Sequence, residues 1–174
     1  MKSLGVERGI RPESQDQITV IFELAIETAM RMREMFTLTW DQVDLDRRTI
    51  FLDRTKNGDN RQVPLSSVAL SVVRNYRTTE SKGIVFPLFW NGDKSKAGLR
   101  AASNRLSKRW TTVAKLAKCE DLHFHDLRHE ATSRLFERTT LTDVQISRIT
   151  GHRDPRMLRH YANLRASNLA EQLW

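Results

Sequence analysis

The sequence is poor in cysteine, aromatic residues and long apolar runs, and each shortage excludes a class of protein. One cysteine, Cys119, is present, so an internal disulfide framework is excluded and a reducing compartment is expected. No run of about 18 apolar residues occurs, so no transmembrane helix is predicted. Aromatic residues make up only 7% of the chain, without the stacking motifs of an RNA-binding module.

Charge is abundant, and most of it is basic. The 174 residues are 39% hydrophobic and 29% charged, which is typical of a globular chain long enough for one domain, predicted over residues 1–174. Lys and Arg number 29 against 21 Asp and Glu, a net charge of +8, and the pI is about 10.1. This balance favours a polyanionic partner. Whether that partner is a nucleic acid depends on where the charges lie in the sequence.

The apolar patterns predict a mostly helical chain. Residues 1–16 are polar and indicate a loose lead-in, and residues 18–30 are almost continuously apolar, which favours a buried helix. Residues 66–77 predict another helix, and everything from residue 99 onward is helical in character. The fold class expected is α+β, mostly helical with a small antiparallel β-sheet.

The sheet is predicted from a hairpin signature. Residues 48–53 and 61–65 are short alternating runs on either side of a turn that contains Asn57-Gly58, a dipeptide that favours tight hairpin turns. Residues 84–86 are expected to add a third strand.

Residues 99–118 form an amphipathic helical pattern with one cationic face. An arc of about 80° at 100° per residue holds charged and short polar side chains: Arg100, Asn104, Lys108, Thr111, Lys115 and Lys118. The opposite arc is apolar: Leu99, Leu106, Trp110, Val113 and Ala117. Such a face suits DNA, with charges for phosphates and short polar groups for base edges. A solvated surface helix explains the same pattern equally well.

Near the C-terminus the helix boundaries are well marked. Residues 142–145 have the spacing of a capping box, and Gly151 stands where a C-terminal glycine belongs. Asp154-Pro155 predicts a helix start. His152 is therefore expected in a tight corner between two helices, with Tyr161 about two turns further on.

His125 and Arg128 are three residues apart and share one helix face. A phosphate bound there meets an imidazole and a guanidinium near a helix N-terminus. His123, His125, Asp126 and His129 also allow a metal cluster, but no second ligand set accompanies them and Arg128 disfavours a cation. We therefore predict no metal site.

Taken in chain order, these segments resemble the tyrosine recombinase family of the phage-integrase type. The matching segments are residues 28–34 (TAMRMRE), Lys56 before the Asn57-Gly58 turn, residues 125–129 (HDLRH), Gly151-His152 and Tyr161. Each residue alone has an ordinary explanation in packing or solubility, and the ordered combination overrides those explanations. The resemblance implies six catalytic residues: Arg31, Lys56, His125, Arg128, His152 and Tyr161.

The resemblance implies transesterification at a DNA phosphodiester. Arg31 and Arg128 suit the non-bridging oxygens, because a guanidinium fork matches their geometry and stays charged. His152 donates a further hydrogen bond, and Glu34 orients Arg31. Arg33 is a second arginine nearby, but Arg31 has the acidic residue three positions later.

Proton transfer is implied at both ends of the displacement. His125 accepts the proton of Tyr161, whose phenol has an ordinary pKa of about 10, and Lys56 protonates the leaving 5′ oxygen. His129 supports the site through hydrogen bonding. A 3′-phosphotyrosine intermediate conserves the bond energy, so neither ATP nor a metal cofactor is expected.

The resemblance runs from about residue 18 to the C-terminus, with two departures. Ala29 stands where a glycine is usual before Met-Arg. No room is left for the N-terminal core-binding domain that family members usually carry, so we expect a catalytic fragment or an unusually short relative.

The resemblance also implies a setting for the reaction. Members act as a tetramer on paired double-stranded DNA recombination sites, with or without accessory DNA-bending proteins, in a bacterial cytoplasm and often from a phage or mobile element. Residues 163–174 predict a tail helix, which docks either on its own domain or on a neighbouring subunit.

Two other functions fit parts of the sequence. Residues 141–151 look somewhat like part of a helix-turn-helix, which suits a non-catalytic DNA-binding regulator. That interpretation leaves four residues without a function: Arg31, Lys56, Arg128 and Tyr161. A type IB topoisomerase shares the chemistry but relaxes DNA as a single clamp.

Overall fold

A computed structural model describes residues 12–53, 60–78, 81–152, 154–158 and 161. Helices account for most of this part of the chain and a small antiparallel sheet accompanies them, which confirms the α+β prediction. The helices are α1 (Pro12–Thr28), α2 (Met32–Phe36), α3 (Ser67–Tyr76), α4 (Lys96–Leu116), α5 (Phe124–Arg138) and α6 (Asp143–Thr150), with 3-10 helices at Trp40–Gln42 and Pro155–Leu158. None of the described helices is long and apolar enough to cross a membrane.

The first helix begins earlier than its apolar pattern indicates. The predicted lead-in over residues 1–16 is wrong from Pro12 onward, where α1 starts. Proline is well tolerated in a first helical turn because its missing N–H would have no partner there. This polar turn has no apolar periodicity, so the pattern could not reveal it. The helix ends at Thr28 because Ala29 takes a φ of +53°.

The predicted hairpin is confirmed, but the predicted third strand is wrong. The sheet has the order β1 (Val43–Asp44), β2 (Thr49–Leu52), β3 (Arg61–Pro64), antiparallel throughout. Ile84 forms only an isolated bridge to Thr39. The third strand is instead β1, whose two residues are too few to show an alternating pattern. The turn residues 54–59, with Lys56 among them, lie outside the described residues.

One hydrophobic core joins the sheet to α1–α4 and the start of α5. Ile21, Phe36, Ile50 and Leu106 are all completely or almost completely buried in it. Each such side chain contributes roughly 1.5–3 kcal/mol relative to exposure. A second, smaller cluster contains Phe136, Ile146 and Leu158, with Tyr161 packed against it. The second cluster therefore places the end of the described chain against α5 and α6.

Helix α4 presents the predicted cationic face to solvent. Ser95 caps it by accepting a hydrogen bond from the Gly98 N–H at 3.0 Å. The residues predicted to face DNA are all exposed: Arg100, Asn104, Lys108, Thr111, Lys115 and Lys118. Two predicted positions are wrong. Lys118 lies beyond the end of the helix, and Ala117, predicted on the apolar face, is exposed, whereas Ala114 is buried there.

Candidate active site

Ala29 and Arg31 shape the turn between α1 and α2. Ala29 adopts a left-handed φ of +53°, a conformation that costs an L-residue other than glycine roughly 1 kcal/mol. This explains why the family pattern has glycine at this position. The Ala29 carbonyl accepts a hydrogen bond from Nη1 of Arg128, so the strained turn also fixes a predicted catalytic arginine. Arg31 follows as the N-cap residue of α2.

The Glu34 carboxylate hydrogen-bonds to Arg31, the residue that it is predicted to orient. Nη1 of Arg31 donates to Oε1 of Glu34 at 2.9 Å, and the Arg31 backbone N–H donates to Oε2 at 2.8 Å. The Glu34 side chain is only 9% exposed, which limits competition from water. The same carboxylate binds a second arginine that sequence reasoning missed.

That second arginine is Arg61, the first residue of β3. Its Nη2 donates to Oε2 of Glu34 at 2.6 Å, and its Nη1 donates to the Ile149 carbonyl at 2.6 Å. A sequence signal exists, because side chains alternate along a strand and Arg61 falls on the same face as the buried Val63. A buried arginine requires partners. Burial is the main cause that lowers the pKa of Arg61.

The C-terminal end of α6 lies against both arginines. Gly151 takes a φ of +73° as the C-cap residue, which confirms the predicted C-terminal glycine. Its carbonyl accepts from Nη2 of Arg31 at 2.6 Å. A Cβ at this position would lie 2.8 Å from Nη1 of Arg61 and 3.2 Å from Nη1 of Arg31. Glycine is therefore needed both for the turn and for the approach of the two guanidiniums.

His152 follows in the predicted corner and contacts Arg128. Nη2 of Arg128 lies 3.1 Å from Nε2 of His152, and Nδ1 of His152 lies 2.7 Å from the Thr150 hydroxyl. A guanidinium only donates, so Nε2 accepts and the imidazole proton is on Nδ1. The Thr150 hydroxyl in turn donates to the Ile146 carbonyl at 2.8 Å.

Burial and positive neighbours keep His152 neutral. Desolvation is the largest cause, followed by the charges of Arg128, Arg31 and Arg61, and together they lower the pKa of His152 to about 4. Arg128 is itself 5% exposed. Desolvation and the neighbouring arginines lower its pKa to about 10, so it stays charged at pH 7.

Tyr161 contacts His129, whereas the sequence paired it with His125. The Tyr161 hydroxyl is hydrogen-bonded to Nδ1 of His129, and its ring stacks on Phe136 at 5.8 Å between centroids. Burial raises the pKa of Tyr161, and the charge of Arg128 opposes that rise. Tyr161, the predicted nucleophile, is therefore held as a neutral phenol.

His125 contacts His129, which lies between it and Tyr161. Its imidazole meets His129 edge to face, with 4.8 Å between ring centroids. Burial, followed by the charges of His129, Arg128 and Arg31, lowers the pKa of His125. His125 and His129 thus line the side of the site that holds the phenol.

The site carries more positive than negative charge. Arg31, Arg61 and Arg128, which we name the arginine cluster, have Glu34 as their one carboxylate hydrogen-bond partner among the described residues. Positive charges act on one another here, since Arg31 and Arg61 both lower the pKa of Arg128. Among the same residues, no group of three or more His, Cys, Asp or Glu is placed to hold a metal ion. This excess suits an anion with several oxygens.

The sequence matches a family model and several curated proteins. Residues 12–168 match the phage integrase family. A shufflon-specific DNA recombinase of Escherichia coli is 40% identical over 161 residues, covering 92% of this chain and 38% of that protein. The integrase of Salmonella phage P22 is 26% identical, covering 91% of this chain and 42% of that protein. The chain thus spans about two-fifths of the length of these curated relatives.

Solved structures share the fold. The XerA recombinase superposes with a TM-score of 0.65 at 19% identity, over 91% of this chain and 56% of that one. The catalytic domain of bacteriophage HP1 integrase superposes with a TM-score of 0.54 at 20% identity, over 92% of this chain and 90% of that domain. The likeness to the HP1 domain over nearly its whole length shows that the chain has the fold of such a catalytic domain.

Proposed function

The chain belongs to the phage integrase family, and on that premise we propose that it carries the chemistry of site-specific DNA recombination, with Tyr161 as the nucleophile. The observation that carries this proposal is that Arg128, a member of the arginine cluster, acts electrostatically on the Tyr161 phenol. The excess positive charge of the cluster supports binding of a phosphodiester near that phenol. The other segments of a longer recombinase would supply further contacts to DNA.

The reaction is an exchange of one ester for another. The Tyr161 oxygen attacks phosphorus and forms a 3′-phosphotyrosine, the bond to the 5′ oxygen breaks, and that oxygen takes a proton. Charge develops on the non-bridging oxygens in the transition state, and preorganised guanidiniums stabilise it. Rejoining reverses the steps, with the 5′ hydroxyl of a second strand as nucleophile. Since the phosphotyrosine conserves the ester, no ATP and no metal cofactor take part.

Proton transfer from Tyr161 begins at His129. The hydrogen bond between the two side chains supports His129 as the first acceptor. His125, 4.8 Å away ring to ring, is proposed as the next group in line and as a ligand for the phosphate. A phosphate bound to the arginine cluster would replace the hydrogen bond between Arg128 and His152, after which His152 can turn to donate. Lys56 is proposed as the general acid for the leaving oxygen.

DNA binding is proposed for the exposed face of α4. Lys108 and Lys115 would meet phosphates. Asn104, one turn before Lys108, and Thr111, between the two lysines, would reach base edges. XerH recombinase has been solved bound to its difH substrate, with 16% identity and a TM-score of 0.64 to this chain. From the family resemblance we further propose a tetramer on paired double-stranded sites in a bacterial cytoplasm.

The test is covalent capture of DNA by the full-length recombinase. Nicked duplexes, made from genomic fragments of the source organism, trap the intermediate because the short strand beyond the nick diffuses away. Wild-type protein incubated in excess EDTA should retain DNA through a denaturing wash, and Tyr161→Phe should retain none while binding DNA normally before the wash.

Three outcomes would contradict the proposal. Capture by Tyr161→Phe at another residue would exclude Tyr161 as nucleophile, and a requirement for Mg²⁺ would exclude the metal-free mechanism. Binding without capture by the wild type would favour a DNA-binding regulator. Strand exchange between two duplexes, rather than relaxation of one, separates a recombinase from a topoisomerase.

A further inference from the structure

We propose that Arg61 is a positioning residue for strand cleavage, which fixes Glu34 and the end of α6 so that Arg31 and His152 face the phosphate. The proposal rests on the proposed function, because positioning is defined relative to that reaction. Arg61 reaches the site from the sheet and takes no part in the residue pattern that identifies the family in this sequence.

Two hydrogen bonds from one guanidinium link three elements. Nη2 of Arg61 donates to Glu34 in α2 and Nη1 donates to the Ile149 carbonyl in α6, both at 2.6 Å. The first partner is the carboxylate that also binds Arg31. The second partner precedes Thr150, whose hydroxyl hydrogen-bonds to His152. The first contact of Arg61 is therefore one hydrogen bond away from Arg31, and the second is one residue and one hydrogen bond away from His152.

Close packing makes the arrangement sensitive to the shape of the side chain. A Cβ on Gly151 would lie 2.8 Å from Nη1 and 3.3 Å from Cδ of Arg61. The Arg61 guanidinium thus fills the space beside the residue whose carbonyl binds Arg31. A flat fork with two Nη groups spans both partners at once, whereas a lysine ammonium offers one point of contact.

Stability alone does not account for a buried arginine here. Arg61 is 9% exposed, and its Nε has no hydrogen-bond partner among the described residues. Replacing a buried ion pair by apolar side chains is often neutral or stabilising, so a strand position facing the core would ordinarily favour an apolar residue. The guanidinium is better explained by the geometry it imposes on Arg31, Glu34 and the α6 end.

The experiment compares Arg61→Lys and Arg61→Met with Arg47→Met in the full-length recombinase on a captured nicked substrate. Arg47 is the matched control, since its side chain lies at the sheet and is 84% exposed. Arg61→Lys keeps the positive charge and one of the two contacts. The variant should therefore fold, and its DNA affinity should stay within about twofold of wild type. The single-turnover rate of adduct formation at saturating DNA should fall about 100-fold, the scale expected for a misplaced site.

Two further readouts separate positioning from a merely structural role. DNA with sulfur at the 5′ bridging position should not rescue Arg61→Lys, because the defect lies in charge stabilisation and not in leaving-group protonation. The ¹⁵N shifts of His152 should move in Arg61→Lys, since one ammonium cannot bind both Glu34 and the Ile149 carbonyl at the end of α6. In Arg47→Met the shifts and the rate should both remain those of wild type.

Several results would overturn the proposal. A wild-type cleavage rate in Arg61→Lys, rescue by the bridging sulfur, or failure of Arg61→Lys to fold would each assign Arg61 to another role. If wild-type protein forms no adduct at all, the proposed function fails. If wild-type and Arg61→Met proteins cleave equally, only the present inference fails.

Discussion

At His152, burial and three neighbouring guanidiniums act in the same direction, and together they lower the pKa of the imidazole. Arg128 donates to Nε2, so the lone pair is occupied, and Arg31 and Arg61 add repulsion against a second proton. His129 is the further titratable neighbour that lowers this pKa, from α5. The free protein therefore holds an imidazole that accepts, and phosphate binding is what would release it to donate.

This state predicts a dependence of stability on pH. The pKa of His152 is about 4 in the folded protein and about 6.5 in an unfolded chain. Between these values the unfolded state binds more protons, so the free energy of unfolding falls as the pH falls from about 6.5 to 4. The lowered pKa of His125 contributes with the same sign. In His152→Gln the free energy of unfolding should depend less on pH, which urea titrations at pH 7, 6, 5 and 4.5 measure.

The control for this prediction is His123→Gln. The His123 side chain is 82% exposed and lies at the start of α5. Its removal should leave the change of unfolding free energy with pH as it is in the wild type. Equal slopes for wild type and His152→Gln would show that His152 is not held neutral by the fold.

Leaving-group protonation gives a second prediction at the residue scale. Lys56→Ala should be slow on ordinary DNA and recover on DNA with a 5′ bridging sulfur, because a thiolate leaves without a proton. Arg128→Ala should stay slow on both substrates, because it removes charge stabilisation. The measurement is the single-turnover rate on each substrate. Equal recovery of both variants, or of neither, would contradict this division of roles.

Single residues of the site were predictable where their spacing carries information. Arg31, Glu34, Arg128 and His152 were expected in one site, and the structure brings them together. Arg61 was not predicted. The alternation of β3 indicates that its side chain is buried, but its partners lie 27 and 88 residues away, and no local pattern identifies them.

The sequence also could not predict which histidine hydrogen-bonds to Tyr161. His125 and His129 are one turn apart on the same face of α5, and both face the tyrosine side of the site. Which ring meets the hydroxyl depends on how the second cluster packs Tyr161 against Phe136. That choice is set by tertiary contacts.

Helix α6 was predicted correctly because capping residues mark both of its ends. Thr142 and Gln145 form the predicted capping box of α6, and Gly151 ends that helix as expected. The start of α1 and the strand β1 were missed, because a polar helical turn and a two-residue strand carry no periodic signal. Helix α4 was predicted by its two faces, and its boundaries shifted by two or three residues.

The cationic face of α4 yields a prediction at the scale of the element. Lys108 and Lys115 are exposed on this face, and each phosphate contact adds close to one unit to the slope of log affinity against log salt. Lys108→Ala with Lys115→Ala should weaken binding uniformly across DNA sequences and lower that slope by about two units. Fluorescence anisotropy over a salt series measures both quantities.

Lys82→Ala is the control for the α4 experiment. Lys82 is exposed in the loop after α3, outside the proposed face, and its loss should leave the slope unchanged. An unchanged slope in the Lys108 and Lys115 double variant would instead identify α4 as an ordinary solvated helix.

At the scale of the whole molecule, the fold couples two clusters with different tasks. The large core holds α1–α4 and the sheet, and the small cluster holds the end of the described chain. Arg128 in α5 bridges them, since it hydrogen-bonds to Ala29 beside the large core and to His152 next to the small one. Movement of the small cluster would thus change the distance from Tyr161 to the arginine cluster.

Residues 163–174, which lie outside the described residues, give the last prediction. Leu169, Leu173 and Trp174 form one apolar edge at helical spacing, and a helix this short is not stable alone. It must dock on a neighbouring subunit or on its own domain. Docking on the neighbour would tie the position of Tyr161 in one protomer to assembly with the next. Deletion of residues 167–174 should then weaken protein–protein association on DNA and alter cleavage, with the melting temperature of the free monomer nearly unchanged. Analytical ultracentrifugation on site-bearing duplexes measures the first effect and thermal unfolding the second. A large loss of monomer stability with unchanged assembly would show that the tail packs on its own domain.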